Sequence, residues 1–370
     1  MVRFVLHIGD GKCGSSSIQA ALHSAQRKLE QRGILYRANH RANGHFAFVT
    51  LLGASTRGND ERGLKSSQED IHAIRQRLLS GDISHVILSG ENFLRLPPGQ
   101  VLKLMEMMCD RIDGFDVIAY VREPASMYLS WLQQELKGNH RVRQPERYSH
   151  PVDLYVSNWV TTIGRENVFV RPFDKTVLYG GSVVHDFTVL LRRITQEQIE
   201  LDEYSENASL SSEQMVVLQR YRARYLAASA GKRISWSDRL IRLFHDLNAV
   251  QQIGNKPELK AHWTNLIRAN SAQTFSRLAE AFPDCRVLIK SVDSFDSSFC
   301  ASRPSDVRTI IASTSTELVR LLGQLVRAPD TKTQGLIPDT AKKAMRVLQR
   351  RYCLHEERTS EVLSQYWNVD

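Results

Sequence analysis

Four short runs of nearly continuous apolar residues punctuate the first half of the chain: VRFVLHI (2–8), HVILSG (85–90), FDVIAYV (115–121) and NVFVRPF (167–173). Each is rich in Val, Ile and Phe, too short for a helix and followed by turn or helix signals. Each therefore predicts a strand buried on both faces. Helical periodicity fills the intervals, as in SIQAALHSAQRKLEQRG (17–33), which Gly33 is placed to cap. Strands alternating with helices predict an α/β fold with a parallel β-sheet flanked by helices.

Beyond residue 200 the pattern changes to mainly helical. SLSSEQMVVLQRYRARYLAA (209–228) opens with Ser211 and Gln214 at capping-box spacing. WSDRLIRLFHDLNAV (236–250) and DVRTIIASTSTELVRLLGQLV (306–326) keep the helical period, and RVLIKS (286–291) reads as one further short strand. The expected organisation is an α/β core over 1–200 and a helical region over 201–370 packed on that core.

Composition narrows the classes. No stretch of the 370 residues approaches the roughly 20 apolar positions of a membrane span. The amino terminus reads as a strand rather than a leader, which predicts a cytoplasmic protein. Five cysteines (Cys13, Cys109, Cys285, Cys300, Cys353) are scattered and never spaced C-x-x-C, which predicts reduced thiols and no metal site. A net charge of +9 favours an anionic partner, with a solvated basic surface as the competing reading. No helix-turn-helix, finger, aromatic RNA-binding signature or dense Lys/Arg block points to nucleic acid.

The stretch HIGDGKCGSSSIQ (7–19) carries the candidate chemistry. A strand running into Gly9, Gly11, Gly14 and Ser15, Ser16 and Ser17, and then into a helix, predicts an anion cradle. Small residues admit backbone N–H groups to phosphate-like oxygens, and the helix start adds unsatisfied donors and a positive dipole end. Lys12 adds a mobile charge; an ordinary tight turn is the competing reading. The nucleoside-triphosphate pattern G-x-x-x-x-G-K-[ST] fails here, because Lys12 precedes Gly14. Gly9, Gly11 and Gly14 spell G-x-G-x-x-G, but no acidic residue ends a second strand to hold a ribose.

A second anchor lies in YVREPASMYLSWLQQELKG (120–138). Arg122 falls at the carboxyl end of a strand, where α/β sheets bind ligands. Pro124 suits the first turn of a helix, and Ser130 lies two turns along it. An arginine fork and a hydroxyl can together hold a phosphate. Taken alone, Arg122 reads equally as a surface ion-pair residue and Ser130 as a small packing residue.

HIGDGKCGSSSIQ resembles the 5′-phosphosulfate loop of sulfotransferases that use 3′-phosphoadenylyl sulfate (PAPS). VREPASMYLS resembles their 3′-phosphate motif, with Arg and Ser eight positions apart, and NVFVRPFDKTVLYGGSVVHDF (167–187) is similar to the segment that follows in bacterial members. The resemblance covers roughly residues 1–190. It implies the sulfotransferase architecture and metal-free transfer of a sulfuryl group from PAPS to a hydroxyl or amine. It also implies the roles. Lys12 stabilises the leaving phosphate oxygen; Gly9, Cys13, Gly14 and Ser15 to Ser17 hold the 5′ end; Arg122 and Ser130 hold the 3′-phosphate. Cys13 stands where many members have Thr or Ser.

An attacking hydroxyl needs a base. Glu91, at the end of HVILSG, is the first candidate, since the family places a catalytic His or Glu there; the bland reading makes it a turn residue. His45, in RANGHFAFV, is the second, against the commoner role of a packed, hydrogen-bonded histidine. Arg41, Lys65 and Arg171 are weaker candidates for an anionic acceptor, and Trp131, Trp159 and Trp236 read as core or groove residues. The implied acceptor is a saccharide or glycolipid. A nucleoside-triphosphate kinase and a non-catalytic polyanion-binding module are the alternatives.

Overall fold

The computed structural model describes residues 1–38, 44–45, 47–52, 61–204, 209–229, 235–293, 304–326 and 337–367. Its centre is β1 (Val2–Gly9), of which every residue but Arg3 is buried. On one side β1 pairs in parallel with β3 (His85–Ser89), and β3 with the short edge strand β2 (Ile34–Tyr36). On the other it pairs in parallel with β4 (Ile112–Val121), which pairs with β5 (Val168–Pro172). The order β2-β3-β1-β4-β5 makes an all-parallel sheet, as strands apolar on both faces require.

Alternation along β1 divides its side chains between two layers. Phe4, Leu6 and Ile8 join a core with Val101 and Leu104 of α4 (Pro98–Glu106) and with Val156 and Trp159 of α6 (Val152–Ile163). His7 points the other way and meets Phe187 of α7 (Val183–Thr195), which packs against α1 (Ser15–Glu30). Because chain order reverses at β1, the loops after β1, β3 and β4 emerge side by side. That switch point is where open α/β sheets bind ligands.

The chain divides into two units: residues 1–124, 150–206 and 271–291, and residues 125–149, 207–270 and 292–370. This differs from a single cut at residue 200. The long connection from β4 to β5 sends α5 (Pro124–Leu136) into the helical unit before α6 returns to the sheet. The end of α10 (Ala261–Ala281) and the turn after it supply Phe275, Leu278, Phe282, Cys285 and Leu288 to the sheet core. RVLIKS is not a strand: Pro283–Leu288 forms a 3₁₀ turn. Phe282, Cys285 and Leu288 are buried at the three-residue period of that turn.

In the helical unit the Ser211–Gln214 capping box opens α8 (Ser212–Tyr225). It packs against α9 (Ser235–Val250) and α11 (Thr316–Leu325), and α12 (Asp339–Tyr352) and α13 (Glu356–Trp367) complete the layer. Segment 306–326 is not one helix. Asp306 caps a short 3₁₀ turn, Ile311 bridges to Leu259, and Ser315 caps α11. No helix among the described residues is long and apolar enough to cross a membrane.

Candidate functional site

The loop after β1 is pinned from both sides. Asp10 N–H donates to the Tyr120 carbonyl at the end of β4 (2.7 Å), and Gly90 N–H, after β3, donates to the His7 carbonyl (2.9 Å). Lys12 takes φ 69°, unusual for a side-chain-bearing residue, and Gly14 takes φ 79° as the residue preceding α1. Ser17 and Ile18 N–H both return to the Gly14 carbonyl (3.0 and 3.1 Å). Among the described residues no acceptor pairs with the N–H groups of Cys13, Gly14, Ser15 or Ser16. These are the orphan donors of a helix start. Of the loop residues expected to offer donors, Ser17 spends its N–H inside the turn, while the N–H groups of residues 13–16 stay open.

The loop's side chains divide. Cys13 is wholly buried, and desolvation pushes its thiol well above the ordinary range, so the sulfur packs and leaves the backbone N–H as its polar offering. Ser15 is also buried; its hydroxyl donates to the Asp10 carbonyl (3.4 Å) and lies near enough to Glu91 to help hold that carboxyl's pKa down. Ser16 and Ser17 are half-buried.

Glu91 opens the 3₁₀ turn Glu91–Arg95 after β3. Burial raises its pKa; Lys12 and Arg95 oppose the shift, and Asp10 adds to it. Gly9 fixes the approach. At φ 109° it lies so close that a Cβ there would sit 2.5 Å from the Glu91 carbonyl oxygen. Gly9 is thus a packing residue for Glu91 as much as a loop residue. Arg122, at the end of β4, donates Nη1–H to the Lys12 carbonyl (3.2 Å) and lies over the Phe173 ring. Lys12, Glu91 and Arg122 therefore converge from three adjacent strand ends. Ser130 lies in α5, within the other unit.

His45 has a different task. Its Nδ1 accepts from Ser89 N–H (3.0 Å), and its Nε2–H donates to the Arg37 carbonyl (2.6 Å). Burial lowers its pKa to about 4. With both ring nitrogens engaged by backbone it has no free lone pair for an acceptor proton, and it anchors the end of β3. Gln19 continues the anchor by donating to Ser89 Oγ (3.2 Å), which lies 2.8 Å from Nδ1 of the buried His7.

Arg171 also serves structure. Its Nε and Nη2 bind the buried Asp186 carboxylate (3.1 and 2.7 Å), which further accepts from Tyr120 OH (3.0 Å). Lys65 is an exposed helix residue 4.0 Å from Glu69, Trp159 is core, and Arg41 and Cys300 lie outside the described residues.

Three site residues were not legible in the sequence: Asp10, Arg95 and His150. Asp10 is 1 % exposed; its Oδ1 accepts from Gly11 N–H (2.8 Å) and its Oδ2 bonds His150 Nε2. Arg95 Nη2 is 3.9 Å from Asp10 Oδ1. Available signals were the acid set between two loop glycines and the histidine just before the Pro151 that precedes α6. Neither names its partner, 140 positions away.

Fold and site define a parallel α/β protein whose central strand ends in a glycine- and serine-rich turn with orphan N–H donors, a lysine and a neighbouring half-buried carboxyl. Comparison of the chain with protein-family models, curated proteins and solved structures finds no match.

Proposed function

We propose that this chain is a sulfotransferase that moves a sulfuryl group from PAPS to a hydroxyl or amine. The observation that carries the reading is the convergence of Lys12, Glu91 and Arg122 on the ends of β1, β3 and β4, beside the orphan N–H groups of residues 13–16. Those donors fit a phosphosulfate. When bound, PAPS supplies an activated sulfuryl group on a phosphate leaving group. The loop N–H groups and Lys12 stabilise the charge that develops as the sulfur–oxygen bond to phosphate breaks. Glu91 accepts the proton of the attacking group as the new bond to sulfur forms. Burial and Asp10 raise its proton affinity, as suits a base. Arg122 orients the loop through Lys12 and reads the 3′-phosphate. A saccharide or glycolipid is the acceptor class, and the sulfotransferase architecture and cytoplasmic setting belong to the same reading.

Thermal shift tests it. Adenosine 3′,5′-bisphosphate at 100 times its dissociation constant stabilises by about 2.7 kcal/mol, and ATP with magnesium does not. The reverse result makes the chain a nucleoside-triphosphate enzyme, and stabilisation by any polyanion makes it a binding module. Mass spectrometry of cell extract incubated with PAPS, with and without the protein, then identifies the acceptor.

A further inference from the structure

Asp10 places a carboxylate, 1 % exposed, inside a loop read as binding an anion. Left uncompensated, it repels that ligand and competes for the same donors. Its Oδ1 takes Gly11 N–H (2.8 Å), its Oδ2 takes His150 Nε2, and Arg95, 42 % exposed, stands at 3.9 Å. Glu91, beside it, adds charge of the same sign. His150 is itself buried and stands ahead of α6, which packs against β4, β5 and the Glu91–Arg95 turn. An anchored framework therefore delivers one side-chain donor to one carboxylate oxygen.

We propose that His150 is a positioning residue of the donor site. By donating Nε2–H to Asp10 it fixes the Gly9–Lys12 turn and offsets the carboxylate charge. The orphan N–H groups and Lys12 then act on the ligand rather than on Asp10. The proposal rests on the anion-loop reading. Without the donor, Asp10 keeps one backbone partner and a distant guanidinium, and its charge opposes any anion entering the loop.

Calorimetry with adenosine 3′,5′-bisphosphate, and with inorganic sulfate as a second probe, tests this on the full chain. His150→Phe, which keeps the ring and removes the donor, weakens binding roughly ten- to hundred-fold, the effect of losing a hydrogen bond to a charged group. His150→Gln, whose amide reaches as Nε2 does, keeps most of the affinity. Adding Asp10→Asn to His150→Phe restores binding, because the uncompensated charge is gone. Asp10→Asn alone binds at least as tightly as wild type, an arm that stands if His150→Phe fails to fold. Wild-type affinity in His150→Phe, no recovery in the double variant, or weaker binding by Asp10→Asn overturns the proposal. If wild type binds sulfate but no bisphosphate, the sulfotransferase reading falls and the sulfate series decides His150. If it binds neither, both fall.

Discussion

Gly9→Ala probes the join between the loop and the proposed base, Glu91, and its size follows from geometry. The added methyl would sit 2.5 Å from the Glu91 carbonyl oxygen and 3.0 Å from its Cα. An ordinary carbon–oxygen contact is about 3.3 Å, so Glu91 and Gly9 must part by about 0.8 Å. Both belong to backbone held by the sheet, and rotamer changes cannot relieve the clash. Overpacking costs about 1–3 kcal/mol, and a side chain at φ 109° costs about 1–3 kcal/mol more, together roughly 2–6 kcal/mol in urea unfolding. On the proposed role of Glu91 as the base, a displacement of nearly 1 Å there lowers turnover by about 10²-fold. Gly81→Ala is the control: φ is 79° there, but nothing lies within 4 Å of the new methyl. It costs about 1–2 kcal/mol for the left-handed backbone alone and leaves transfer intact. Stability within about 0.5 kcal/mol of wild type and turnover within about twofold for Gly9→Ala would refute the close-contact argument.

On the proposed reaction, Lys12→Ala lowers transfer at saturating PAPS by about 10²–10³-fold, with a smaller effect on bisphosphate affinity measured by calorimetry. Glu91→Gln lowers transfer by about 10²–10⁴-fold while donor affinity holds. Because the folded pKa of Glu91 is raised, its ionised form opposes folding. The Gln variant is therefore more stable than wild type above that pKa, and the advantage fades as pH falls toward the ordinary 4.5. His45, lowered from 6.5 to about 4, refuses a proton that the unfolded chain accepts. Wild type therefore loses about 2 kcal/mol on this account between pH 7 and pH 5, and His45→Gln shows a shallower fall in pH-dependent melts. Arg171→Ala strands the Asp186 carboxylate and lowers unfolding free energy by about 3–5 kcal/mol, with bisphosphate affinity unchanged; weakened bisphosphate binding would assign Arg171 to the site instead.

Local chemistry determined what the sequence by itself could settle. Continuous apolar runs named four of the five strands among the described residues, because a strand covered on both faces tolerates few polar side chains. The capping box at Ser211 and Gln214 was legible because its donors and acceptors lie within one turn. The loop from Gly9 to Ser17 was legible because small residues between a strand and a helix leave backbone donors with few other uses. Three residues of β2 at a sheet edge carried too little pattern, and RVLIKS looked like a strand because its letters conceal a burial period of three. Tertiary structure decided the rest. Whether a histidine is a base or an anchor depends on what meets its two nitrogens, and for His45 those partners are the Arg37 carbonyl and Ser89 N–H. Whether an arginine is free for a ligand depends on nearby carboxylates, and Arg171 has Asp186. The pairing of Asp10 with His150 exists because β1 lies beside β4 and because α6, which His150 precedes, packs against β4, β5 and the Glu91–Arg95 turn, a juxtaposition set by strand order and not by sequence spacing.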